Sequence, residues 1–158
     1  MSMNDQNETS EERRAVQRRG ADLKVRFRVI SGEGGRRTKE VPGAVKNLSE
    51  TGFCLATDLT MVDDLHVLTG SSGISRNKLE LKLQLPDIKE IQINGSACWY
   101  NLAEPQESYR YNVGVQIEMI SEQDLDLLRK FLRQERKERL VKGFFNIKWL
   151  MRLFGRTS

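Results

Sequence analysis

No stretch of the sequence approaches the roughly 20 consecutive apolar residues that a membrane-spanning helix requires, so no spanning segment is expected. The opening residues, MSMNDQNETSEE, are polar and acidic without an apolar core, which argues against a secretory signal; a cytoplasmic setting is expected by default. The sequons at Asn7 and Asn47 are on that reading unglycosylated. Only two cysteines are present, Cys54 and Cys98, each inside an apolar, strand-like run. In a reducing compartment they read as small buried side chains rather than as a disulfide. Two cysteines and one histidine without close spacing do not make a zinc site. G-x-S-x-G, H-E-x-x-H and the Walker phosphate loop are all missing, and no acidic pair is placed by motif for acid–base work. The lone histidine, His66, reads as a surface or packing residue, and an enzyme is not expected.

With 38% hydrophobic and 30% charged residues, the 158-residue chain suits one soluble domain with its own core plus appendages. Its net charge of +4 hides an asymmetry. From Arg129 to Arg156 ten residues are basic and two acidic, a local +8, so the remainder carries about −4. An anionic partner would feel the basic end rather than the whole molecule.

Residues 1–12 read as a disordered tail, followed by the arginine-dense segment RRAVQRRG (13–20). LKVRFRV (23–29) alternates strictly, with Leu23, Val25, Phe27 and Val29 on one face, as a half-buried strand does. SGEGGRRT (31–38) supplies a hairpin turn; it has too few glycines for a dinucleotide loop and no crossover helix follows. Further strands are expected at 39–46, 53–57, 79–85, 90–100 and 111–117, with NLSETG (47–52) as a turn and Gly95 marking a bulge. MVDDLHVL, within the 58–77 segment, fits a helical turn. Six short strands in succession without helices between them argue for a mainly β fold, an antiparallel barrel or sandwich. Ser121 to Asp124 then resembles a capping box opening a helix with Leu125, Leu128 and Leu132 on one face. Gly143 is expected to break that helix, and FFNIKWLMRLF (144–154) to form a short further helix with Phe144, Ile147, Met151 and Phe154 at helical spacing.

An R-x-x-x-R pair before the first strand and an [D/N]-x-S-x-x-G turn after the second resemble the PilZ family, bacterial receptors for cyclic dimeric GMP. Among the four arginines of 13–19 only Arg14 and Arg18 have the i, i+4 spacing, and Asn47, Ser49 and Gly52 match the second motif. LELKLQLP, ACWY and YNVGVQIEMISEQDLDLLRKFL follow the family layout, and the likeness covers about residues 11–135. The resemblance implies a six-stranded antiparallel β-barrel with a C-terminal α-helix. The chain then divides into a tail (1–12), the barrel domain with its helix (13–135) and a basic amphipathic helical extension (136–158).

The resemblance also implies that cyclic di-GMP binds through Arg14 and Arg18 to phosphate and guanine, and through Asn47 and Ser49 to a guanine. Arg13 and Arg19 are auxiliaries, and Gly52 lets the chain turn close to the ligand. The chemistry suits the residues: guanidinium forks onto phosphate oxygens or the guanine O6/N7 edge and stacks on bases, and the asparagine amide offers donor and acceptor. Trp99 is open to a base-stacking role, though a tryptophan in such a strand is expected to be buried. Ligand is expected to fold an otherwise mobile 1–20 segment onto the barrel and so present a new surface to an effector protein. The basic C-terminal end reads as a solvated packed helix, a partner-docking helix, or an amphipathic contact with anionic lipid at the inner membrane. Alternatives are a nucleic-acid-binding barrel, although the basic charge is expected on a helix away from the groove, and a PilZ-like adaptor without ligand.

Overall fold

The computed structural model describes residues 22–70, 73–87 and 89–154, with the side chains of 144–154 excepted. Its strands are β1 (Leu23–Ile30), β2 (Val41–Lys46), β3 (Gly52–Thr57), β4 (Met61–Val62), β5 (Leu65–His66), β6 (Lys78–Gln84), β7 (Glu90–Leu102) and β8 (Tyr111–Ile120), followed by helix α1 (Glu122–Phe154). Six of them close a barrel in the order β1-β2-β3-β8-β7-β6, each pair antiparallel. The six strands expected from alternation are therefore all present, and closure leaves the barrel with no sheet edge open to water.

The alternating residues fill the interior. Phe27 and Val29 of β1, Leu55 of β3, Leu79, Leu81 and Leu83 of β6, and Ile91 and Ile93 of β7 are fully buried. Each such side chain contributes on the order of 1.5–3 kcal/mol by leaving water, which is why period-two patterning fixes the register. Both mouths are plugged. At one, the β4–β5 hairpin inserts Val62, with Val67 just behind it, into the core cluster. At the other, α1 contributes Leu128 and Phe131.

The MVDDLHVL segment is thus a hairpin rather than a helical turn. Asp63 (φ 45°) and Asp64 (φ 66°) occupy left-handed positions, the two central sites of a tight hairpin turn. The hairpin is pinned to the β1–β2 connection: Arg36 Nη2 donates to the Asp63 carbonyl at 2.9 Å, and Lys39 N to Asp63 Oδ2 at 2.9 Å. Buried Asn77 ties the rest of the 58–77 segment down, donating to the carbonyls of His66 (2.7 Å) and Thr69 (3.2 Å) and accepting from Gly32 N (3.1 Å). His66 packs edge-on against Tyr100, the rings 5.2 Å apart.

Ser121 caps α1, its Oγ accepting from Asp124 N at 3.1 Å. The expected break at Gly143 and the separate short helix after it are not found: α1 runs unbroken for 33 residues. One glycine costs a helix about 1 kcal/mol relative to alanine, too little to end a run of good helix formers. Among the described residues no helix is long and apolar enough to cross a membrane.

Candidate functional site

The 47–52 turn joins β2 to β3 at the mouth that α1 plugs. Asn47 adopts a left-handed conformation (φ 52°), which asparagine tolerates better than most residues. The Ser49 hydroxyl is spent within the turn. It accepts from Thr51 N (3.3 Å) and Gly52 N (3.2 Å) and donates to the Gly52 carbonyl (2.9 Å). Ile117 N donates to the Thr51 carbonyl at 2.9 Å, fastening the turn to β8. Gly52 is required by close approach: a Cβ there would meet the Val115 carbonyl oxygen at 2.5 Å. The Asx-Ser-Gly pattern therefore codes first for a rigid turn that displays Asn47.

Beside this turn lies an open cleft of about 520 Å3 on the outer face of β3, β8 and β7, lined by Asn47, Ser49, Thr51, Cys54, Trp99 and Gln116 among others. Trp99 forms one wall and is 48% exposed, contrary to the expectation of a buried strand tryptophan. The reason is a bulge. Ala97 pairs with Val115 and Trp99 with Gly114, so Cys98 is an extra residue that turns Trp99 from the inward to the outward face. A first register shift falls at Asn94/Gly95, where the glycine suggested one. The indole lies on Gly114, where a Cβ would come within 2.2 Å of the ring.

The cysteines also depart from expectation. Both belong to the cleft wall, Cys54 half-buried and Cys98 exposed, and both are free thiols. They sit on β3 and β7 with β8 between them, two strand spacings or roughly 9–10 Å apart, too far for a disulfide. Burial raises the Cys54 thiol pKa; Lys46 opposes this, and Glu107 and Asp22 reinforce it. Lys46 is itself paired with Glu107 at 3.3 Å, both side chains largely shielded from solvent.

Arg13, Arg14, Arg18 and Arg19 lie outside the described residues. Their point of attachment does not: Leu23 pairs with Val45, so the chain enters β1 alongside Lys46 and the 47–52 turn. Of the expected site residues, Asn47, Ser49, Gly52 and Trp99 are brought together in one cleft. Sequence reasoning missed Cys54, Cys98, Gly114 and Gln116. The outward series Asn112, Gly114, Gln116 was implicit in the alternation of β8, whereas the bulge at Cys98 left no local signal.

Among the residues lining the cleft none belongs to α1, but the basic helix borders a neighbouring groove. Arg129, Arg133, Arg136 and Arg139 line a second groove that shares Ser49 and Thr51 with the cleft. Glu50 of the turn accepts from Arg129 Nε at 3.0 Å, which ties turn to helix. Among the described residues no group of three or more His, Cys, Asp or Glu is placed to hold a metal ion.

The family model described as PilZ domain matches residues 12–134. No curated protein matches the chain. Among solved structures, the Bacillus subtilis inhibitor of motility (MotI/DgrA) is similar, at 19% identity and a TM-score of 0.48, over 74% of this chain and 48% of that one. The chain spans about half the length of that protein's chain.

Proposed function

Because the chain belongs to the PilZ domain family, we propose that it is a receptor for cyclic dimeric GMP that acts by binding and relay rather than by catalysis. The observation that carries this reading is the cleft itself, which the 47–52 turn with Asn47 and the half-exposed Trp99 both line, next to the point where the arginine segment enters β1. Its volume of about 520 Å3 lies in the usual range for small-molecule sites. In this reading Arg14 and Arg18 fork onto phosphate and guanine, and Asn47 hydrogen-bonds a guanine edge. Trp99 offers the second base a flat face, and Arg13 and Arg19 add charge. Ser49 acts through the turn, which its hydroxyl braces against the Thr51 and Gly52 backbone.

Ligand draws the arginine segment onto the barrel and so alters the surface offered to an effector protein in the control of motility, attachment or exopolysaccharide synthesis. The setting proposed is cytoplasmic. A peripheral contact with anionic lipid is proposed for the C-terminal end, where Phe144, Phe145, Trp149, Leu150 and Phe154 would supply apolar anchors beside Lys148 and Arg152, continuing from the exposed Leu140 and Val141.

Calorimetric titration with cyclic di-GMP tests the reading and returns affinity and stoichiometry together. A charge-assisted hydrogen bond is worth about 2 kcal/mol, so Arg18→Ala should weaken binding on the order of thirtyfold. Unchanged affinity would remove Arg18 from the site. Displacement of the nucleotide by excess single-stranded oligonucleotide would favour a nucleic-acid-binding barrel instead.

A further inference from the structure

The second groove, of about 800 Å3, runs between the 48–51 turn and residues 126–139 of α1, lined by four arginines and by Glu50, Asp126 and Glu135. Arg129, Arg133, Arg136 and Arg139 follow one another at intervals of four, three and three residues, which stacks them along one side of the helix. Two are engaged: Arg129 with Glu50 at 3.0 Å, and Arg139 with Glu135 at 3.7 Å. Among the described residues Arg133 and Arg136 have neither an ion-pair nor a hydrogen-bond partner, and both are exposed. From Arg129 to Arg139 the helix carries six basic and two acidic residues over a rise of roughly 15 Å.

The matching charge lies in the same chain. Residues 1–12 contain Asp5, Glu8, Glu11 and Glu12 and no lysine or arginine. The chain enters β1 alongside Lys46, next to the turn that forms the opposite wall of this groove. Glu12 lies ten positions before Asp22, a length of chain that can reach the groove from the start of β1. Such a link gives a local concentration on the order of millimolar, at which weak ion pairs suffice.

We propose that the acidic segment 5–12 docks along the arginine wall of the groove between turn 48–51 and α1, its carboxylates facing Arg133 and Arg136. The tether and the opposed charges favour this occupant over a free partner. The docking stands whether or not the neighbouring cleft takes a nucleotide.

The test is an amide NMR comparison of the full-length chain with its D5N/E8Q/E11Q/E12Q variant, whose changes all precede the barrel. At low salt, shift differences outside the substituted tail itself should be confined to residues 48–51 and 126–139. They should close as ionic strength rises from about 0.05 to about 0.5 M, where the screening length falls from roughly 14 to roughly 4 Å. R133Q/R136Q should remove most of the difference between acidic and neutralised tails. Low-salt spectra that superpose at every residue outside the tail would overturn the proposal. So would differences that fade on dilution, which would assign the contact to a second molecule's tail.

Discussion

Cys98 is the extra residue of the β7 bulge, and the cleft depends on it. In the sequence Ile91, Ile93, Gly95, Ala97 and Trp99 form one period-two series, which would send the indole into the core. With the bulge, the series ends at Ala97, and Trp99 comes to rest on Gly114. Strand alternation made the core legible because burial enforces it. The orientation of Trp99 was not legible, because a bulge is set by pairing with β8, a strand more than ten residues away. If the indole stacks on a base, Trp99→Ala should lower cyclic di-GMP affinity about five- to 150-fold, the equivalent of 1–3 kcal/mol. Calorimetry giving wild-type affinity would assign that wall a structural role only.

At the level of elements, α1 behaves as the stopper of one barrel mouth. Leu128 is fully buried within the core cluster, so Leu128→Ala should cost about 2–5 kcal/mol in urea unfolding. A loss below about 1 kcal/mol would mean that the helix rests on the barrel without closing it. The outer surface of β1, β2 and β6 carries a different device. Lys82 and Arg28 hydrogen-bond to Glu40 and hold its carboxyl at about 2, below the usual 4.5, while Arg26 adds its charge. The unfolded chain takes up this proton more readily than the folded one. Its stabilising contribution is therefore full above pH 4.5 and disappears as pH falls toward 2. Melting temperatures of Glu40→Gln should lie modestly below wild type at neutral pH, where the contribution is present though weakened by solvent screening, and should decline less steeply so that the two curves converge toward pH 2. Parallel curves would contradict the assignment. The six barrel strands were readable because each is long enough to alternate. The β4–β5 hairpin was not, because two-residue strands leave no period and Asp63-Asp64 lacks the glycine that usually marks such a turn.

Viewed as a whole molecule, the chain gathers its candidate-site elements at one mouth of the barrel: the 47–52 turn, the start of β1 and the base of α1. Two short motifs far apart in the chain suggested this convergence, and strand pairing accounts for the proximity of the turn to the start of β1. The groove shared by turn and helix was hidden, since it arises from how α1 leaves the barrel rather than from any local pattern. The same exit leaves the basic end of the helix free to meet a surface. Co-sedimentation with anionic vesicles should therefore pellet the full-length chain and leave a version ending at Lys142 in the supernatant. Equal pelleting would dismiss lipid as a partner of that end.

The unbroken passage of α1 through Gly143 has a mechanical consequence. Residues 133–154 form an arm of roughly 33 Å beyond the part that plugs the barrel. Rotating such an arm by about 10° at its root displaces its tip by about 6 Å, on that same rise per residue. A sub-ångström adjustment where Glu50 meets Arg129 would thus be magnified, as by a lever, into a movement that another molecule could feel.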